Sequence, residues 1–516
     1  MSARGLMVLG TASHVGKSLL TAAFCRILRD DGYRVAPFKA QNMSLNSAAT
    51  PDGGEIGRAQ ALQAEAAGIV PTVDMNPILI KPASDRRSQV VVNGKIWGDT
   101  SASEFHRRRI VELFPAVCEA YARLAARYDV VVLEGAGSPA EINLRESDIV
   151  NMRMAHAADA RCVLAGDIDR GGVFAALYGT LALLDDADRA RIVGTIVNKF
   201  RGDVDLLRPG LAMLEAHTEK PVLGVVPHLP DVGLEEEDGV AFDEIVRVRE
   251  PAWHDDDASP RRRLRIAVVA WPLVANVTDF DALAREPSVE IVYASGPRAL
   301  DGADVAIVPG TKSTLAAIAW LVREGFDEAL RACARRALVL GICGGMQALG
   351  TDVDDPFGVE GGGATEGLGL LPLRTTLAKE KVAERATGTT HASHLGGTAF
   401  GAHAIDGYEI HVGETTYLPG ARRFATIVRA SDGHTLEDGA IDASCRVIGT
   451  YLHGLFVDDA FRAAFVDAAR RASGLEPTRA RAAFSADREA RLDRLAAHVR
   501  ASVDLPRLLA LCGIAR

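Results

Sequence analysis

The sequence predicts an α/β protein of two parallel-sheet units followed by a helical C-terminal tail, and three observations predict it. Short β-branched runs alternate with amphipathic stretches through the first half of the chain. A second series of the same kind begins at Leu264. Between them the alternation breaks into blocks of opposite charge, Asp255-Asp256-Asp257 and Arg261-Arg262-Arg263, around Ser259-Pro260. Parallel strands are buried on both faces and joined by crossover helices, so they read as continuous apolar runs spaced by helical stretches. The two series therefore specify two Rossmann-like units, and opposed charge blocks with Pro specify an exposed linker.

In chain order, the first unit takes its strands from 6–10, 34–38, 130–133, 162–165, 192–197 and 222–226. Each is short, and most end at or just before Gly, Lys, Glu or Asn. Its helices fall at 18–30, 104–127, 172–184 and 206–218. The second unit takes strands from 264–270, 289–293, 305–308 and 338–342. Residues 390–401 are Gly-rich, polar and uncharged, and read as a mobile loop. The last segment has helical period. The expected boundaries are 1–247 for the first unit, 248–263 for the linker, 264–457 for the second unit and 458–516 for the tail. Ligands on such sheets bind at the carboxyl ends of the strands.

Length and composition bound the function. The chain has 516 residues, enough for about three domains at roughly 150 residues each; the pattern reduces that to two units and a tail. A net charge of −10 argues against gripping a nucleic-acid backbone, and 48% apolar residues argue against disorder. The longest apolar uncharged run, 171–184, has 14 residues, short of the roughly 20 that a membrane span needs. The N-terminus lacks a signal-peptide pattern. Seven cysteines are scattered without a CxxC pair, which excludes a disulfide framework or a zinc site and implies reduced thiols in the cytoplasm.

Gly10-Thr11-Ala12-Ser13-His14-Val15-Gly16-Lys17-Ser18 follows a strand and opens a helix. Such a loop aims backbone N–H groups at phosphate oxygens, at the positive end of a helix. Lys17 suits the terminal phosphates and the Ser18 hydroxyl suits Mg²⁺. Five residues separate Gly10 from Gly16, one more than in the usual phosphate-loop pattern. Mg²⁺ prefers carboxylate and phosphate oxygens. Glu134, at a strand end in Glu134-Gly135-Ala136-Gly137, is the leading acidic candidate; Asp52 is a looser one, in a turn-like Pro51-Asp52-Gly53-Gly54. Asp167 and Asp169 end another strand and face the same cleft. Asn198-Lys199 ends a further strand, where the Asn amide can read a base edge.

Residues 338–342 lead straight into Cys343, and Gly344-Gly345-Met346-Gln347 starts a helix. This is a nucleophile elbow with Cys in place of Ser. The helix N-terminus favours the thiolate, and backbone N–H groups after the Cys can cradle an oxyanion. The general base is His453, in Gly449-Thr450-Tyr451-Leu452-His453-Gly454, with His411 as its rival. The other six cysteines lie in helix or strand patterns and read as core.

The Cys343 elbow with its distant His453 resembles the class I, triad-type glutamine amidotransferases. The first half resembles dethiobiotin-synthetase-like P-loop ATPases, which share the five-residue loop spacing. Three blocks resemble the cobyric acid synthases: Phe38-Lys39-Ala40-Gln41-Asn42-Met43-Ser44-Leu45-Asn46-Ser47, Glu55-Ile56-Gly57-Arg58-Ala59-Gln60 and Met75-Asn76-Pro77-Ile78-Leu79-Ile80-Lys81-Pro82. The cobyrinic acid a,c-diamide synthases share the two-unit architecture and are the alternative. The resemblance implies ATP and Mg²⁺ as cofactors, with glutamine and adenosylcobyrinic acid a,c-diamide as substrates. It implies nucleotide and metal roles for Lys17, Ser18, Glu134, Asn198 and Lys199, to which Lys39 is joined. It implies an amidase pair of Cys343 and His453, with oxyanion donors at Gly344 and near Gly310. Many triad-type members carry Glu two residues after the His; here that residue is Leu455, so His453 must be oriented from elsewhere.

Overall fold

The computed structural model describes residues 3–83, 87–101, 105, 108–230, 232–234 and 259–514. Residues 248–258 of the expected linker, and the expected end of the first unit at 247, lie outside them.

Both parallel sheets are present. In the first unit six strands run in the order Val222–Pro227, Ile192–Phe200, Arg161–Asp167, Arg4–Gly10, Val130–Glu134, Val35–Phe38, each parallel to its neighbours. After the central strand Arg4–Gly10 the chain moves to the far edge, and it later returns on the other side. The order therefore reverses beside Gly10, and the crevice at the carboxyl ends opens there. Gly10, Glu134 and Asp167 end strands on that rim, and Asn198 lies two residues before the end of Ile192–Phe200.

The blocks carrying the family resemblance form extra structure that period alone does not reveal. Gln41–Met43, Ile78–Pro82, Arg87–Val92 and Lys95–Ser101 make a small mixed sheet. Ser47–Thr50 and Gly54–Gly57 form a hairpin that leans on the second unit, where Ala49 packs with Ala383 and Ile410.

The second unit has the strand order Val289–Ala294, Leu264–Val269, Val305–Val308, Leu338–Ile342, Val447–Thr450, Ala440–Ile441, parallel except at the last. After Leu349 the chain builds a four-stranded mixed sheet and a five-stranded antiparallel one, whose last strand is Leu452–His453. Residues 390–401 belong to this region and are not a free loop. His394–Leu395 pairs with Thr398–Ala399, and Leu395 is buried.

The tail divides between the two units. Asp459–Ala472 packs through Phe461, Phe465 and Val466 into the second core. Phe484–Ser502 and Leu505–Leu511 return to the first unit, where Leu492, Leu495, Val499 and Leu508 join the core behind Lys17–Asp30. Buried Arg26 on that helix holds Glu489 at 2.8 Å and Asp493 at 2.6 Å. Among the described residues, no helix is long and apolar enough to cross a membrane.

Candidate active sites

The loop from Gly10 to Ser18 needs its glycines. Gly16 sits at φ 94, and a Cβ there would stand 2.3 Å from Asn198 Nδ2. Thr11 N–H donates to the Ala165 carbonyl at 2.9 Å, which anchors the start of the loop to the next strand. Lys17 Nζ donates to the carbonyls of Ala12 at 2.9 Å and Gly137 at 3.3 Å, so its ammonium spans the loop mouth. The cleft beside it is lined by His14, Lys17, Ser18, Asn42, Gly137 and Arg145, among others.

Glu134 is the hub beneath this loop. Ser18 Oγ donates to its Oε1 at 2.8 Å and Lys39 Nζ to the same oxygen at 3.0 Å, while Gln63 Nε2 donates to Oε2 at 2.5 Å. Burial alone would raise its pKa; Lys39, Gln63 and Ser18 together hold the carboxyl below its ordinary range. A buried carboxylate beside a hydroxyl at a phosphate loop is a hard-oxygen donor set of the kind Mg²⁺ prefers. Among the described residues no group of three or more His, Cys, Asp or Glu is placed to cage a metal.

The remaining candidates separate. Asn198 Nδ2 donates to the Val15 carbonyl at 2.8 Å and Lys199 Nζ to the His14 carbonyl at 2.6 Å. Both prop the loop, and the Asn198 amide N–H is spent on backbone. Asp167 is paired with Lys199 at 3.2 Å and Asp169 with Arg201 at 2.9 Å. Asp52 does not join the metal set. It is exposed at the turn of the Ser47–Thr50/Gly54–Gly57 hairpin, and its neighbour Gly53 faces Glu384 of the second unit.

In the second unit the strand Leu338–Ile342 ends at Cys343, which has φ 52 and ψ −113. A non-glycine residue there is strained, as a nucleophile elbow requires. The turn is packed so closely that a Cβ on Gly345 would lie 1.9 Å from the Val308 carbonyl oxygen. Cys343 Sγ lies 3.4 Å from the Ile410 carbonyl. A Cβ on Gly310 would meet His453 Cε1 at 3.0 Å and Cys343 Cβ at 3.8 Å, so these three residues surround one point. Gly344 follows the nucleophile at the first position of its helix.

His453 is fully buried and donates from Nδ1 to Asp279 Oδ2 at 2.7 Å. The other oxygen, Oδ1, accepts the Gly454 N–H at 2.9 Å. Burial would lower the imidazole pKa, but the Asp279 carboxylate and the Cys343 sulfur raise it to about 10. This favours the imidazolium form of His453. Sequence reasoning missed Asp279, which lies in an unremarked turn, Val277–Phe280. Leu455 is plain core. The rival His411 has both nitrogens engaged, Nδ1 with the Gly413 carbonyl at 3.1 Å and Nε2 with Glu409 at 3.3 Å. Its ring stacks on Tyr451 at 3.7 Å.

The cavity over Cys343 is walled by both units: Lys81 and Gln89 come from the first, and Asn276, Glu360, Lys381 and His453 from the second. Buried Glu55 joins them, taking Lys81 Nζ at 2.5 Å on Oε1 and Lys381 Nζ on Oε2. Burial pushes Lys381 down to about 7 against the pull of Glu55. Glu55 and Lys81 belong to the blocks that carry the family resemblance, where no spacing rule marked them.

Comparison with known proteins agrees with this two-site layout. Residues 6–241 match the family model described as the CobQ/CobB/MinD/ParA nucleotide binding domain, and 265–461 match the CobB/CobQ-like glutamine amidotransferase domain. The chain is 47% identical to a cobyric acid synthase of Syntrophobacter fumaroxidans, with 99% of each chain covered. It is 44% identical to one of Moorella thermoacetica, covering 100% of this chain and 98% of that one. It is 48% identical to one of Klebsiella pneumoniae, covering 98% and 97%.

Proposed function

The chain belongs to the cobyric acid synthase family, and from that premise we propose that it amidates the b, d, e and g side-chain carboxylates of adenosylcobyrinic acid a,c-diamide, using ATP and glutamine, to give adenosylcobyric acid in the cytoplasm. The observation that carries this reading is the wall of the Cys343 cavity. Lys81 and Gln89 of the nucleotide-binding unit face the nucleophile of the other unit, so ammonia is released against the unit that consumes it.

The chemistry divides accordingly. A carboxylate does not react with ammonia because oxide is a poor leaving group. In the first unit a carboxylate oxygen attacks the γ-phosphorus of ATP, ADP departs, and an acyl phosphate results. Lys17 and the loop N–H groups hold the phosphates, Lys39 and Glu134 fix the floor, and Asn198 and Lys199 brace the loop. Ser18 Oγ, with Glu134 behind it, would hold Mg²⁺, which would supply neutralisation of phosphate charge when bound. In the second unit the Cys343 thiolate attacks the glutamine amide carbon. The oxyanion lies between Gly344 and Gly310, and His453 protonates the departing ammonia. His453 then takes a proton from water, which hydrolyses the thioester to glutamate. Glu360 and the Lys81–Lys381 pair complement the α-ammonium and α-carboxylate of glutamine. Ammonia attacks the acyl phosphate, and inorganic phosphate leaves.

The test is Cys343→Ala, assayed with glutamine and with ammonium salts. Glutamine-dependent amidation is lost and ammonia-dependent amidation persists. Loss of both in a folded protein overturns the division of labour.

A further inference from the structure

We propose that Asn46, a residue of the nucleotide-binding unit, is a positioning residue for the glutaminase: it caps, from across the interface, the turn that carries Asp279. The inference rests on reading Cys343 and His453 as a glutaminase.

Val277–Phe280 is one turn of 3-10 helix. A helix that short has little stability of its own, and its first N–H groups need partners. Its capping residue, Asn276, does not cap it. Asn276 sits in the left-handed region at φ 57, ψ 48, and its side chain makes no bond to the turn. Its Oδ1 instead accepts the N–H of Ser47, in the other unit, at 2.9 Å. The vacated role is filled from there, since Asn46 Oδ1 accepts the N–H of Val277 at 3.1 Å. The two asparagines thus exchange caps across the interface. Both asparagines are buried, at 6% and 2% exposure; the Ser47 N–H lies in a buried bond and the Val277 N–H in a half-buried one, and removing the Asn46 side chain takes the protein acceptor from the latter.

Each end of this exchange is tied to a reaction centre. Asn46 is fixed within its own unit: its N–H donates to Ser44 Oγ at 3.0 Å, and its carbonyl accepts from Arg58 N–H at 3.1 Å. The same segment begins at Lys39, the ion partner of Glu134. On the other side Asp279, two residues after Val277, holds His453 at 2.7 Å. The orientation of the glutaminase base is therefore set in part by backbone that floors the phosphate site.

The experiment uses the full chain with Asn46→Ala. Loss of a cap of this kind lowers glutamine-dependent kcat about tenfold. The glutamine KM stays within about twofold, and ammonia-dependent amidation is unchanged. The His453 limb of the pH–kcat profile moves to lower pH, because Asp279 no longer supports the imidazolium in place. Asn46→Asp, which keeps the acceptor oxygen, restores kcat and the profile. Wild-type kcat in N46A, or equal losses with glutamine and with ammonia, overturns the proposal. If N46A does not fold, Asn46→Ser serves in its stead. Its shorter side chain withdraws the acceptor from the Val277 N–H, and the same selective loss is expected. Failure of the glutaminase reading itself is distinguishable, because Cys343→Ala would then retain glutamine-dependent amidation.

Discussion

The Asp279 carboxylate holds two consecutive residues at once, His453 through Nδ1 at 2.7 Å and Gly454 through its N–H at 2.9 Å. It fixes both the ring and the backbone that bears it, the task that Glu performs two residues after the His in many triad-type relatives. Asp279→Asn removes the charge and keeps the shape. Glutamine-dependent kcat falls at least about a hundredfold, while ammonia-dependent amidation is preserved, as steady-state assays with each nitrogen donor will show.

The same pair makes stability depend on pH. The folded His453 pKa is raised to about 10, against about 6.5 unfolded. Its contribution is fully present below the unfolded value and is lost as pH rises through the folded one. Urea denaturation of the wild type across that window shows the decline. In Asp279→Asn the pH dependence flattens, because the protonated state is no longer favoured.

Glu134 and Lys39 form a fully buried ion pair at 3.0 Å. Glu134→Gln leaves Lys39 uncompensated, which costs about 3–5 kcal/mol as read by chemical denaturation. Both modes of amidation fall, since the carboxylate charge beside Ser18 is lost.

Glu55 bridges Lys81 and Lys381, one from each unit. Glu55→Gln removes the charge that holds both lysines, leaves Lys381 neutral and lowers the thermal midpoint. Glutamine-dependent amidation falls more than the ammonia-dependent reaction, because both lysines line the Cys343 cavity.

Lys17→Ala removes the ammonium that spans the phosphate loop. ATP-dependent amidation is abolished with either nitrogen donor, while glutamine hydrolysis at Cys343 continues at a measurable rate.

What was legible in the sequence was what is local. A buried parallel strand declares itself as an apolar run, so 130–133 and 338–342 fall within a residue of the strands Val130–Glu134 and Leu338–Ile342. Lys17 and Cys343 stand beside the turns that make them reactive. The antiparallel layers were harder, because a half-buried strand such as Val382–Thr390 carries Ala, Gly and Thr at its alternating positions and no apolar run. Residues 390–401 looked mobile for the same reason, although Ala392, Leu395 and Phe400 anchor them to the core. Asp279 had no local signal, since its partner lies 174 residues away. Asp52 misled in the opposite sense: a turn acid reads the same whether it faces a metal or solvent.

The return of Phe484–Ser502 and Leu505–Leu511 to the first unit has a consequence for the order in which the protein comes into being. During synthesis the nucleotide-binding sheet emerges first, but the apolar back of its Lys17–Asp30 helix is not fully covered until Leu492, Leu495, Val499 and Leu508 arrive. The core of the second unit, whose last contribution is Phe484, precedes them in the chain. The half that is translated first is therefore the last to receive all of its core residues.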